Sequence, residues 1–305
     1  MFFDVIFRRN NVVRIYESSL NKRCLCAKQI NQGFYGWVFL IENADNTKAI
    51  AKVYKQEGYM NSEICQLDMM RKYALVKVPE VYSASYKKSN ECVDVLFMEY
   101  IDGVNAAAIK ITDEKEKADF SNQVVENLLA IHEVSNPDGF GSYVDNTYSI
   151  SWEQYYKTHI TMLYNAIKSR KPMRFSKKSF EFIEILYENF DKIFYEPVLE
   201  SHLIHGDYNL WNLIADPKEN KLIGMIDPFG SCFADREIDL FQLTNADGDK
   251  YRLLDNYKSH IQLRDNFEIK NAYYFFWDDI KHMINMGYCD NKRFQKYGGF
   301  VCDRI

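Results

Sequence analysis

The first hundred residues carry apolar side chains at the spacing of β-strands. Runs that alternate apolar and polar residues, separated by turn residues, cover residues 12–16, 28–42, 48–54, 77–82 and 94–100. Alternation of period two is typical of antiparallel strands. We therefore expect residues 1–100 to be β-rich, with one main helix over residues 59–73.

Beyond residue 101 the apolar positions recur at helical spacing. An Asp-Gly pair at residues 102–103 ends the strand pattern. A period near 3.6 predicts helices over residues 115–132, 151–168, 176–196 and, after residue 239, up to 285. We expect the aromatic run at 273–277 to lie in the core and the tail at 296–305 to be frayed or loosely docked. The two patterns together indicate an α+β fold.

Three short apolar runs within residues 203–226 end in loops that carry polar side chains. The second and third runs flank a turn-forming segment and predict two strands joined by a turn. The loops that enter and leave this unit hold Asp207, Asn212 and Asp227. Oxygen-bearing side chains at neighbouring strand ends suit Mg²⁺, which takes oxygen ligands and keeps substrate phosphates in its other positions.

The order of these polar residues resembles the catalytic and metal loops of the aminoglycoside phosphotransferase and choline kinase superfamily. The motif is His-Gly-Asp-x-x-x-x-Asn at residues 205–212, followed by Ile-Asp-Pro at 226–228. The continuation Ala-Asp-Arg-Glu-Ile-Asp-Leu at 234–240 resembles the fructosamine (ketosamine) kinase branch. The resemblance implies a bilobal, protein-kinase-like fold. Its N-lobe would be a small antiparallel sheet with one main helix (1–100), and its C-lobe would be larger and mostly helical (101–305).

The same resemblance implies roles for the motif residues. Asp207 would be the base that orients the acceptor hydroxyl, and Asn212 and Asp227 would bind Mg²⁺. We expect ATP as the phosphate donor. His205 is expected to be a scaffold residue, and Asp239 to hydrogen-bond the catalytic loop.

Lys52 is unusual because it stands inside an otherwise apolar strand. Kinases place a strand lysine on the ATP phosphates and hold it with a glutamate from a helix. Glu63 lies on the predicted helix and is the expected partner, whereas Glu57 competes for the role from a turn. Since a lysine ammonium in a partly dry cleft needs a countercharge, the pair is physically reasonable.

Further nucleotide contacts are expected from two backbone segments. Gly33 and Gly36 would form a phosphate-covering loop, with an ordinary hairpin as the alternative that two glycines by themselves favour. The backbone of Glu99, Tyr100 and Ile101, at the end of a strand, is expected to receive the adenine ring.

The acceptor side is indicated more weakly. Trp152 is either part of the core or, by resemblance, beside the acceptor site, and Asp235 and Arg236 either line that pocket or anchor the loop after Asp227. His132 ends a predicted helix, where a cation is favourable. Acidic side chains in the last third would form an anionic pocket for an amine-bearing sugar, with solvated surface acids as the alternative: Asp235, Glu237, Asp247, Asp249, Asp278 and Asp279.

Composition narrows the classes of function. A net charge of −5 gives no basic footprint for nucleic acid. The seven cysteines contain no CxxC pair, which argues against a zinc site or a disulfide framework. No apolar run approaches the ~18 residues of a membrane span, and we expect a cytoplasmic protein.

The predicted function is ATP- and Mg²⁺-dependent transfer of a γ-phosphate to a hydroxyl of a small molecule. The preferred acceptor is a ketosamine or amino-sugar, ahead of an aminoglycoside antibiotic and a choline-like alcohol. A non-catalytic nucleotide-binding regulatory protein of the same fold is the main alternative. A protein kinase is disfavoured, since Gly206 replaces the arginine found there and the short segment after Asp227 leaves no room for an activation loop.

Overall fold

The computed structural model describes residues 2–86, 94–169, 176–287 and 290–305, with only the backbone for residues 2–7 and 177. Its contacts divide the chain into two compact units. The first unit is Met1–Ile109 with Asn212–Phe229, and the second is Lys110–Trp211 with Gly230–Ile305. This division differs from the single boundary expected after residue 100, because a later segment of the chain folds with the first unit.

The first unit is built around a five-stranded antiparallel sheet. Its elements are α1 (Phe2–Leu20), β1 (Cys24–Gln32), β2 (Gly36–Asn43), β3 (Lys48–Tyr54), α2 (Tyr59–Tyr73), β4 (Val81–Ser85), β5 (Val95–Glu99) and β6 (Val104–Asn105). The sheet has the order β1-β2-β3-β5-β4. Strand β3 is central, and its Lys52 lies opposite Val38 of β2 and Leu96 of β5. The sheet and helix expected in this half are thus confirmed.

Residues 12–16 are helical, so the strand predicted there is wrong. They belong to α1, where Val12, Ile15 and Tyr16 are buried. These three residues are spaced by three and one, which places them on one helix face against Phe39 and Ile41 of the sheet. Five residues are too few to separate a period of two from 3.6, and packing on the sheet decides in favour of the helix.

A hairpin from later in the chain completes the first unit. Strands β10 (Leu213–Asp216) and β11 (Lys221–Met225) pair antiparallel, which confirms the predicted strand–turn–strand unit. Strand β10 also pairs with β6, with Ile214 opposite Asn105. This ladder explains why residues 212–229 group with the first unit.

The second unit is mostly helical and contains a small four-stranded sheet of order β8-β7-β12-β9. Its elements are α3 (Glu114–His132), β7 (Phe140–Ser142), β8 (Thr147–Ser149), α4 (Trp152–Ser169), α5 (Lys177–Glu188), α6 (Phe190–Ile193), β9 (His202–Leu203), β12 (Phe233–Ala234), α7 (Leu253–His260), α8 (Phe267–Met286) and α9 (Asn291–Cys302). Short 3₁₀ helices cover Leu210–Asn212, Arg236–Thr244 and Gly248–Tyr251. The aromatic run at 273–277 is buried in α8, as predicted.

Two expectations for the second unit are wrong. The helix predicted over 176–196 is divided into α5 and α6 at Asn189, whose backbone leaves the helical region. The tail expected to fray forms α9, which packs against α5 and α8 with Phe294 and Val301 buried. Tertiary contacts stabilise this last helix, and a local pattern does not show them.

None of the described helices combines the length and the apolar character that crossing a bilayer requires.

Candidate active site

Lys52 lies between two carboxylates in the first unit. Its side chain is buried on β3, with Nζ 2.7 Å from Glu63 Oε2 and 2.9 Å from Asp227 Oδ1. Glu63 lies on α2. The sequence predicted Glu63, in preference to Glu57, as the partner of Lys52. The hydroxyl of Tyr54 donates a further 2.7 Å hydrogen bond to Glu63 Oε2. One ammonium therefore joins the sheet, the helix and the segment after β11.

The positive charge of Lys52 and the negative charges of Glu63 and Asp227 stabilise one another. Burial opposes the charge on Lys52, but the carboxylates of Asp227 and Glu63 outweigh it and raise its pKa above the usual range. Burial also raises the pKa of Glu63, although the Lys52 ammonium opposes that change. Lys52 is therefore cationic, because both carboxylates are within direct hydrogen-bond distance of its Nζ.

Asn212 and Asp227 lie at the two open ends of the β10–β11 hairpin. Leu213 faces Met225 in the ladder, and the next pair outward is joined by a 2.9 Å bond from the Ile226 N–H to the Asn212 carbonyl. Asp227 has a left-handed backbone with φ of 56°, and its side chain is 43% exposed. An amide oxygen and a carboxylate are hard oxygen donors, as Mg²⁺ requires.

Asn212 and Asp227 carry oxygen donors, which suit Mg²⁺ better than a soft transition metal. Across the described residues there is no group of three or more His, Cys, Asp or Glu side chains that could hold a metal ion. Magnesium commonly uses one or two protein oxygens and completes its shell with phosphate and water. Asn212 and Asp227 are consistent with that pattern.

The glycines at 33 and 36 form a tight turn between β1 and β2. The N–H of Gly33 donates to the carbonyl of Gly36 at 3.0 Å. A Cβ on Gly36 would lie 2.2 Å from the Val53 carbonyl oxygen, whereas one on Gly33 would meet nothing within 4 Å. Close approach to β3 therefore requires glycine only at position 36.

Three aromatic rings, which we call the aromatic triad, connect this turn to the segment after Asp227. They are Tyr35 of the turn, Tyr59 at the start of α2, and Phe229. The ring centroids are 3.7 Å apart for Tyr35 and Phe229, and 4.9 and 5.4 Å for the pairs that include Tyr59. The triad was not predicted from the sequence, because its members are far apart along the chain and no local pattern joins them.

Residues 99–101, expected to receive adenine, follow the end of β5. Glu99 is the last residue of that strand and its Oε1 lies 2.5 Å from Lys77 Nζ. Ile101 is buried, and Lys48 Nζ lies over the Tyr100 ring at 5.2 Å. The adenine contact stays a prediction.

In the second unit, Asp239 holds the backbone of the His205–Gly206 segment. Its two carboxylate oxygens accept 2.8 Å hydrogen bonds from the N–H groups of His205 and Gly206. Asp239 is buried and also lies 3.3 Å from His132 Nε2. His132 is the last residue of α3, as predicted, but it is a member of this buried network and also contacts the Tyr257 hydroxyl at 2.8 Å.

The turn before Asp207 is sterically demanding. Gly206 has φ of +83°, and a Cβ there would lie 2.6 Å from the carbonyl carbon of Gly230. The following N–H, that of Asp207, donates to His205 Nδ1 at 3.2 Å. His205 is fully buried, in agreement with the scaffold role expected for it.

The family model described as fructosamine kinase matches residues 30–296. The chain belongs to the fructosamine kinase family. It is therefore a small-molecule kinase, and the expected resemblance is confirmed.

Three relatives illustrate the similarity of this fructosamine kinase family member. The crystal structure of a candidate fructosamine-3-kinase from Thermobifida fusca YX-ER1 has a TM-score of 0.69 and 18% identity, covering 96% of this chain and 99% of that chain. The GDP complex of aminoglycoside 2'-phosphotransferase-IIIa has a TM-score of 0.68 and 14% identity, covering 97% of each chain. The uncharacterized protein YcbJ of Escherichia coli K12 is 23% identical over 265 residues, 85% of this chain and 86% of YcbJ. The structural neighbours confirm the α+β, kinase-like fold.

Trp152 and Asp235, expected near the acceptor, lie in the interior of this fructosamine kinase family member. Their exposed fractions are 2% and 3%. Tyr274 joins them, since its hydroxyl accepts from Trp152 Nε1 at 2.8 Å and donates to Asp235 Oδ2 at 2.7 Å. Direct contact with a substrate is therefore not supported for either residue, and the core interpretation of Trp152 is favoured. Arg236 is half-buried, and its positive charge contributes to lowering the pKa of His202, after burial.

The anionic acceptor pocket expected from the acidic residues is not supported either. Most of these carboxylates are within ion-pair distance of a lysine or arginine: Asp235 and Glu237 of Lys270, Asp247 of Lys250, Asp278 of Lys281, and Asp279 of Arg293. Neutralised side chains of this kind offer little attraction to an amine. The sequence shows how many acidic residues are present but not which lysine or arginine each one pairs with.

Proposed function

We propose that this protein transfers the γ-phosphate of ATP, with Mg²⁺, to a hydroxyl group of a small molecule. The observation that carries the proposal is the position of Lys52 between Glu63 and Asp227. Such a buried, doubly paired lysine is the arrangement that kinases use to bind nucleotide phosphates.

The first unit supplies the nucleotide side of the reaction. Lys52 binds the phosphates as a charged donor, and Glu63 fixes its rotamer. Asn212 and Asp227 hold Mg²⁺, which neutralises phosphate charge when it is bound. The turn at Gly33 and Gly36 covers the phosphates, and residues 99–101 receive the base of the nucleotide.

The second unit supplies the acceptor side. Asp207 accepts a hydrogen bond from the acceptor hydroxyl, orients its oxygen for in-line attack and takes its proton. General-base assistance of this kind contributes about 10²- to 10⁴-fold to the rate. Asp239, through the backbone of His205 and Gly206, holds the base in place.

A ketosamine is the acceptor that family membership supports best. An aminoglycoside-type antibiotic is the second candidate, since aminoglycoside phosphotransferases share the fold. A non-catalytic regulatory protein is disfavoured, because Lys52, Glu63, Asp207, Asn212 and Asp227 are all present.

The test is a nucleotide-consumption screen with ATP and GTP over ketosamines, amino-sugars, aminoglycosides and choline. We expect Mg²⁺-dependent phosphorylation of a ketosamine. Asp207→Asn should abolish transfer and retain nucleotide binding, whereas Asp138→Asn, at an exposed position in the same unit, should behave as wild type. Nucleotide binding without turnover on any acceptor would favour the regulatory alternative.

A further inference from the structure

The side chain of Asn209 connects the proposed base to a buried amide network. Asn209 is almost fully buried, and its Nδ2 donates a 2.7 Å hydrogen bond to Asp207 Oδ1. The same Nδ2 lies 3.3 Å from Gln242 Oε1, which also accepts a 2.8 Å bond from Asn245 Nδ2. The Oδ1 of Asn209 accepts the backbone N–H of Trp211 at 3.0 Å.

These contacts fix the orientation of the Asn209 amide. The three neighbours of Nδ2 are oxygens, namely Asp207 Oδ1, the Asp207 carbonyl at 3.4 Å and Gln242 Oε1, and the neighbour of Oδ1 is an N–H group. A 180° flip of the amide would place Oδ1 against these acceptor oxygens and Nδ2 against the Trp211 N–H. Only the orientation with Nδ2 toward these oxygens satisfies the hydrogen bonds of the site. Asn209 must therefore present an N–H to the carboxylate of Asp207.

One 3₁₀ helix, Arg236–Thr244, supports both the backbone and the side chain of the base. Asp239 of this helix binds the N–H groups of His205 and Gly206, and Gln242 of the same helix binds Asn209. The side chains of Gln242 and Asp239 are buried, so their positions are set by packing. Asn209 thus links the carboxylate of Asp207 to the buried side chains of this 3₁₀ helix.

We propose that Asn209 is a positioning residue that orients the Asp207 carboxylate for the acceptor hydroxyl. The inference rests on the proposed role of Asp207 as the base. A hydrogen bond donated to a carboxylate stabilises its charged state, and the unprotonated state is the one that accepts a proton.

Two substitutions separate this role from simple packing. Asn209→Asp has nearly the same size and keeps the acceptor for the Trp211 N–H, but it replaces the donor with a negative charge. Asn209→Leu removes donor and acceptor together. Positioning predicts that Asn209→Asp is at least as damaging as Asn209→Leu, whereas a packing role predicts the reverse order.

The measurements are kcat, KM and the pH dependence of kcat/KM. We expect kcat to fall about 10- to 100-fold in both variants, with the KM for nucleotide unchanged. In Asn209→Asp the acid limb of the profile should move to higher pH, because a like charge beside Asp207 opposes ionisation. The other ionisable groups bonded to this loop, His205, Asp239 and His132, are unchanged in the variants. Nucleotide binding and thermal unfolding confirm that each variant is folded, and Asn245→Ala, at the far end of the network, should stay within about threefold of wild type.

The outcomes distinguish this inference from the proposed function. If wild type phosphorylates an acceptor and Asp207→Asn does not, but Asn209→Asp retains the wild-type rate and pH profile, Asn209 has no positioning role. If wild type transfers no phosphate to any acceptor in the screen, the proposed function fails, and this inference fails with it.

Discussion

Lys52 Nζ lies 2.9 Å from Asp227 Oδ1, although 175 residues separate them in sequence. The contact exists because the β10–β11 hairpin folds with the first unit. Asp227 follows this hairpin and therefore lies beside β3. A proposed phosphate-binding cation and a proposed metal ligand therefore belong to one cluster.

Lys52→Met should remove catalysis and also reduce stability. Loss of the ammonium leaves Glu63 buried beside Asp227 without a countercharge, and breaking a buried pair in this way costs about 3–5 kcal/mol. Urea unfolding measures the loss, and the Kd for nucleotide, from calorimetric titration, should rise. Lys22→Met is the control, since Lys22 and its partner Asp45 are both exposed and should contribute little.

Asp227→Ala should abolish Mg²⁺-dependent nucleotide binding. Calorimetric titration of ATP with and without Mg²⁺ measures this, and chelation of Mg²⁺ should reduce wild-type binding to the level of the variant. Asp216→Ala, at the last residue of β10 in the same hairpin, is expected to keep the wild-type Mg²⁺ response. Equal Mg²⁺ dependence in Asp227→Ala and wild type would remove Asp227 as a ligand.

Gly36→Ala and Gly33→Ala should differ sharply despite being three residues apart. The new Cβ at 36 would collide with the Val53 carbonyl oxygen in the sheet, whereas the position at 33 is open. Overpacking of this kind costs about 1–3 kcal/mol. Thermal unfolding of the two variants should show a lower Tm for Gly36→Ala alone, and a similar loss in both would show that the turn is not ordered as described.

Phe229→Ala should weaken nucleotide affinity without touching a charged group. The substitution removes the ring that lies against Tyr35 and Tyr59, so the turn at 33–36 loses its contact with the segment after Asp227. We expect a several-fold increase in nucleotide KM and faster amide exchange in the turn. Phe229→Tyr keeps the ring and should remain near wild type; no difference between the two variants would argue against the aromatic triad.

The buried Asp235–Lys270 pair should make stability depend on acid pH. Burial alone would raise the pKa of the Asp235 carboxyl, but the Lys270 ammonium and the Tyr274 hydroxyl outweigh it and hold the pKa below its usual range. A carboxylate whose folded pKa is depressed stabilises the protein above its unfolded pKa, and this stabilisation is lost as pH falls through the folded value. Asp235→Asn should therefore flatten the loss of stability below about pH 4.

The same pair offers a second measurement at neutral pH. Lys270 is fully buried between Asp235 and Glu237, so Lys270→Met should cost about 3–5 kcal/mol. Adding Asp235→Asn to this variant should recover part of the loss. Lys250→Met, whose partner Asp247 is exposed, should leave the free energy of unfolding close to wild type.

The local spacing of apolar residues predicted several helices and strands correctly. It failed where packing against another element determines the secondary structure. It predicted α2 and the β10–β11 hairpin, because each has a clear period and bounding turn residues. It failed at residues 12–16 and at the tail, where α1 packs on a sheet and α9 packs on helices. A short window of sequence does not show which distant element a segment will pack against.

By itself, the order of residues from His205 to Asp227 predicted the family, which is confirmed, and the proposed roles of Asp207, Asn212 and Asp227, since the order and spacing of these side chains are a property of the sequence alone. Only the tertiary structure decided which acids are neutralised, that Trp152 and Asp235 are interior, and that Asn209 faces Asp207. The physical reason is that charge pairing, burial and amide orientation depend on neighbours brought together by folding, and those neighbours are distant along the chain.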